Sequence, residues 1–91
     1  MLYQTEAKAQ GWRAMAIFDD NRADALILIG RSSTQVRTGY VSSFMELLEE
    51  DERDHVSSIS LQHWNGAPDS GRWVHQNTLK VPPKMRLSRV A

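Results

Sequence analysis

The sequence predicts an α+β domain: a four-stranded antiparallel sheet with one amphipathic helix packed on one face, in the order ββαββ. Three observations predict it. Two strand-like segments joined by turn residues lie between Trp12 and Gly30, a stripe of apolar residues at helical spacing follows, and two more alternating segments run from Val56 to Val81. A helix stripe and a sheet face bury each other in this arrangement. A chain of 91 residues and 10.4 kDa suits one core and not two. The domain is expected over residues 1–83, with 1–10 as a frayed N-terminus and 84–91 as a basic tail.

The first strand is Trp12 to Phe18, where Trp12, Ala14, Ala16 and Phe18 alternate with Arg13, Met15 and Ile17. Asp19, Asp20, Asn21 and Arg22 supply turn chemistry. Ala23 to Gly30 is then a run rich in Ile and Leu, interrupted by Asp24 alone, which suits a strand covered on both faces and therefore inside the sheet. From Ser33 to Glu50 the period changes. Val36, Tyr40, Phe44, Leu47 and Leu48 fall on one helical stripe, and Ser32 with Gln35 forms a capping box at its start. A competing box at Ser43 and Glu46, with Gly39 and the alternating Thr34, Val36, Thr38 and Tyr40, would instead start the helix near Ser43 after a short extra strand.

Val56 to Trp64 and Arg72 to Val81 form the second hairpin around the turn Asn65 to Gly71. Strict alternation sets its register: Trp64 opposite Arg72, His63 opposite Trp73, Leu61 opposite His75 and Ile59 opposite Asn77. His63 and His75 are then diagonal neighbours on one face.

Composition removes several chemistries. With no cysteine, disulfides, thiolate metal sites and cysteine nucleophiles are excluded. A hydrophobic fraction of 41% against 24% charged residues is that of a globular chain. Eleven bases balance eleven acids, so the whole chain exerts no electrostatic pull on nucleic acid or anionic membrane. The charges are nonetheless segregated. Residues 1–45 hold five bases and four acids (+1), 46–54 one base and six acids (−5), and 55–91 five bases and one acid (+4). The longest apolar run, Ala25 to Ile29, is far too short for a membrane span, and Glu6 and Lys8 interrupt any signal-like h-region. A cytoplasmic protein is the expectation.

Four groups could carry chemistry. His63 and His75 offer two metal ligands where three or four are needed, with only Asn77 near them, so they are expected at the core margin, bonded to backbone or water. Gly30, Arg31, Ser32 and Ser33 join a strand to a helix start, where free N–H groups and an arginine make an anion site in principle, although N-capping explains the serines as well. Glu46, Glu49, Glu50, Asp51, Glu52 and Asp54 lie near a predicted helix C-terminus, where carboxylates oppose the macrodipole. Contact with the basic tail or a second chain would offset that. Trp64 and Arg72, with Gln62, Gln76, Thr78 and Lys80, form an outer sheet face suited to protein contact or, with fewer aromatics than usual, to nucleic acid.

No serine sits in a strained nucleophile elbow, and the paired carboxylates look solvated. The functional expectation is a small non-enzymatic interaction module, homodimeric or bound to another protein, without metal or cofactor. Its binding residues would be Trp64, Arg72, Trp73, His63 and His75. The alternatives are a nucleic-acid-associated protein using the Trp64/Arg72 face and basic tail, or a ligand binder or hydrolase around His63 and His75.

Overall fold

A computed structural model of the protein describes residues 11–83. The chain forms β1 (Trp12–Phe18), β2 (Ala25–Gly30), the helix α1 (Ser33–Leu47), a short helix α2 (Glu50–Asp54), β3 (Val56–Asn65) and β4 (Arg72–Leu79). All strand pairs are antiparallel and the sheet order is β2-β1-β3-β4. The α+β sheet-and-helix architecture is thus the predicted one, with a second short helix added. The expected frayed segment 1–10 and basic tail 84–91 lie outside the described residues. No helix among the described residues is long and apolar enough to cross a membrane.

The core lies between α1 and one sheet face. Trp12, Ala14, Ala16 and Phe18 of β1 face the helix, with Ile59, Leu61 and Val56 of β3 paired beside them. Val36, Tyr40, Phe44 and Leu48 of the helical stripe meet this surface and are buried, whereas Leu47 is exposed. Spacing of four residues keeps the four buried side chains on one side of the helix; the neighbouring position turns away. Gly39, costly in a helix by propensity alone, has a packing reason: a Cβ there would come within 2.9 Å of Leu28 Cδ2. After β4 the chain passes beside α1, where the Tyr40 hydroxyl donates to the Lys80 carbonyl at 2.6 Å.

Two expectations are corrected at β2 and α1. β2 is an edge strand, not an interior one. A bulge opposite Ala14 and Met15, where the register steps from Leu28 to Leu26, leaves Ile27 unpaired. The bulge inverts side-chain parity, so Ile27 and Leu28 both pack toward the core while Leu26 and Ile29 point outward. A run of consecutive apolar residues therefore reports a bulged strand covered on one face. At α1, Ser32 caps the start as expected, its Oγ accepting from the Gln35 N–H at 3.1 Å. The helix ends at Leu47, three residues before the predicted end. Glu50, Asp51 and Glu52 occupy the first turn of α2, where carboxylates agree with the dipole of exposed N–H groups. Glu52 accepts from the Glu49 N–H at 2.7 Å, and Arg53 Nη1 donates to the Leu48 carbonyl at 2.7 Å, just past the C-terminus of α1. The apparent conflict of acids with a helix C-terminus disappears because a second helix begins there.

Candidate functional site

The second hairpin departs from strict alternation. Ile59 pairs with Leu79, Ser60 with Thr78 and Leu61 with Asn77, but Gln62 pairs with His75, His63 with Val74, Trp64 with Trp73 and Asn65 with Arg72. Gln76 is the extra residue of a bulge in β4. Leu79 must reach the core, and the bulge lets it do so while turning Trp73 and His75 to the opposite face. The predicted register is therefore wrong by one or two residues along the hairpin. Its consequence is large: His63 and His75 stand on opposite faces of the sheet, as do Trp64 and Arg72.

His63, on the helix side, stacks on Trp12 with ring centroids 4.2 Å apart. His75 belongs to a polar chain on the other face. Arg13 Nε donates to Gln62 Oε1 at 2.8 Å, Gln62 Nε2 donates to Ser60 Oγ at 3.2 Å, and Ser60 Oγ lies 2.6 Å from His75 Nδ1. An arginine can only donate, so it fixes the orientation of the Gln62 amide, which presents its oxygen to Arg13 and its N–H to Ser60. Ser60 accepts from Gln62 and shares a hydrogen with His75 Nδ1, which turns Nε2 of the imidazole outward. Ser60 is the buried polar residue of the core region, 3% exposed, and this chain satisfies it.

The arginine is held from a second side. Its guanidinium carbon lies 4.2 Å from the centre of the Trp73 ring, and Trp73 meets Trp64 edge-on at 5.4 Å. Trp64 itself is nearly buried and its Nε1–H donates to the Ala67 carbonyl at 3.0 Å, closing the turn against Gly71, where a Cβ would come within 2.7 Å of the indole nitrogen. Gly66 in that turn has φ of 123°, a conformation that glycine adopts without strain. Trp64 is a structural residue of the hairpin, not an open stacking platform. Burial pulls the Arg13 guanidinium below its usual pKa, and the attraction of Asp24 opposes this only in part.

Two further clusters are brought together. At the start of α1, the Ser32 cap and the Gln35 side chain, which accepts from the Arg31 N–H at 2.7 Å, take up N–H groups that an anion at Gly30, Arg31, Ser32 and Ser33 would use. At the other end of the sheet, Phe18 pairs with Val56, which sets Asp19 beside His55. His55 Nδ1 lies 3.1 Å from Asp19 Oδ1 and 3.9 Å from Asp20 Oδ2, so these three exposed residues offer one potential ligand atom each within 4.8 Å. Arg22 already holds Asp20 at 2.9 Å and keeps its carboxyl below the usual range, a competitor for any cation.

Sequence reasoning placed Gln62 on the outer face but missed Arg13 and Ser60. One signal was present: a charged residue within a strand parity otherwise made of Met15 and Ile17. Protein-family models, curated proteins and solved structures give no match to this chain, so the functional argument rests on its own residues.

Proposed function

We propose that the protein is a non-enzymatic interaction module that works as a homodimer, with β2 of one copy pairing antiparallel to β2 of the next. The observation that carries the reading is the β2 edge. This strand, Ala-Leu-Ile-Leu-Ile-Gly, contains neither a charge nor a proline, and its outward residues Leu26 and Ile29 are 50% and 43% exposed. Apart from the Ile27 bulge, this apolar edge carries none of the charges or prolines that block strand addition. Pairing of like edges across a two-fold axis uses both edges at once and closes the assembly, so it gives a dimer and not a fibre. Leu26 lies opposite the half-buried Met15 of β1, which widens the apolar strip on the helix-free side, while Ile29 lies opposite Arg13.

An enzymatic reading has less support. Ser60 is buried, its hydroxyl is committed to His75, and no carboxylate orients that imidazole among the described residues. The nucleic-acid reading relied on Trp64 and Arg72 sharing a face, and they do not.

Light scattering over a tenfold concentration range tests the proposal. The expected mass is twice the chain's 10.4 kDa, falling to the monomer value in Ile29→Lys. A wild-type mass of 10.4 kDa at every concentration would overturn it.

A further inference from the structure

We propose that Arg13, Trp73 and His75 form a binding site for an oxyanion, a carboxylate or a phosphate group, on the helix-free face of the sheet. Arg13 pairs with Ile29 of β2, but the donors lie on the sheet face and not along the free backbone edge of that strand, so the inference does not rest on dimerisation. Its basis is an excess of fixed donors without acceptors. Among the described residues, Arg13 makes one hydrogen bond, through Nε, and no ion pair. The far edge of its guanidinium, two parallel N–H groups of the kind that grips a carboxylate or phosphate bidentately, is left to solvent or ligand. Among the described residues no carboxylate lies in ion-pair range of the half-buried Arg13, and the attraction of Asp24 offsets its desolvation only in part, so an anion that joined it would relieve that cost.

The neighbouring groups have the same polarity. The bond to Ser60 holds His75 Nδ1 inward and leaves Nε2 exposed, where its N–H donates in the Nε2-protonated tautomer, and the indole N–H of Trp73 has no acceptor among the described residues. Across the strands, Gln62 separates Arg13 from His75 in one row, and the guanidinium reaches over the Trp73 ring two positions from His75. Stacking on Trp73 and the 2.8 Å bond to Gln62 hold the guanidinium before any ligand arrives. A preorganised donor loses less entropy on binding than a free surface arginine.

The test is an NMR titration of the full chain with sodium acetate and, separately, inorganic phosphate, at constant ionic strength set by chloride. The expected result is a saturable shift of the Arg13 Nε–H, Trp73 Nε1–H and His75 ring signals with at least one of the two anions. The one that saturates first identifies the group recognised. Arg13→Gln should weaken that binding roughly tenfold or more, as loss of a charge-assisted hydrogen bond entails. Arg22→Gln, which removes an exposed arginine already paired with Asp20, should titrate like the wild type. Shifts in the wild type that grow linearly with both anions, as with chloride, would overturn the proposal even if Arg13→Gln failed to fold. Equal affinity in a folded Arg13→Gln variant would overturn it too.

Discussion

The two faces of the sheet are built from the same strands, yet they do opposite things. On the helix side, Ala14, Ala16, Ile59 and Leu61 are fully buried and meet Val36, Phe44 and Tyr40, whose hydroxyl reaches out to the Lys80 carbonyl at the margin. On the other side, one residue along each strand, Arg13, Gln62, Ser60 and His75 make a hydrogen-bonded chain. The difference teaches that each face is set by parity and that bulges decide parity. Without the bulge at Gln76, His75 would have pointed into the core side, and the Ser60 hydroxyl would have been buried without that partner.

The largest way to break this contrast is in the core. Phe44→Ala is expected to cost about 3–5 kcal/mol, since a fully buried ring leaves a cavity that its neighbours fill only partly. A urea midpoint unchanged by that substitution would mean that α1 does not close the core. The next effect is smaller and falls on the polar face. Ser60→Ala removes the acceptor for Gln62 and the hydroxyl that meets His75 Nδ1, and should cost about 1–3 kcal/mol. It should also release the imidazole tautomer. Nitrogen-15 spectra of wild-type His75 at high pH should show Nε2 protonated, and a mixture of tautomers in Ser60→Ala; a mixture already in the wild type would mean that Ser60 does not fix the tautomer.

Much of the helix side was legible in the sequence because periodicity reports burial on one side directly. The parity of Trp12 to Phe18 and the stripe Val36, Tyr40, Phe44 and Leu48 carry over into the core unchanged. What was not legible is whatever depends on a bulge. Ile27, Ser57 and Gln76 are each skipped in the ladder, and nothing in their identity distinguishes them from their paired neighbours. Alternation was therefore extended through Gln76, which put His63 with His75 and Trp64 with Arg72. The sheet order was hidden for a related reason. A run such as Ala25 to Ile29 is equally consistent with a central strand and with a bulged edge whose outer residues Leu26 and Ile29 are exposed. Part of the acidic segment was misread because a five-residue helix is too short to show a period of its own.

The smallest effect sharpens the comparison at the margin of the core. Tyr40 donates to the Lys80 carbonyl, and burial raises its pKa above 10.0. A group with a raised folded pKa gives stability that is complete below the unfolded value and is lost as pH rises through the folded one. Tyr40→Phe is thus expected to be about 0.5–1.5 kcal/mol less stable at neutral pH. The gap should narrow above the unfolded tyrosine value of 10.0. A gap constant from neutral to alkaline pH would show that the hydroxyl is solvated in the folded state.

The central claim is that the β2 edge is completed by a second copy, and amide hydrogen exchange reads it residue by residue. An edge strand with one neighbour protects its amides alternately, because every second N–H points away from the sheet. Paired on both sides, consecutive amides within Ala25–Gly30 should be protected together, apart from those at the Ile27 bulge, and the outward ones should lose protection on dilution. Alternate protection in β2, independent of protein concentration, would contradict the account.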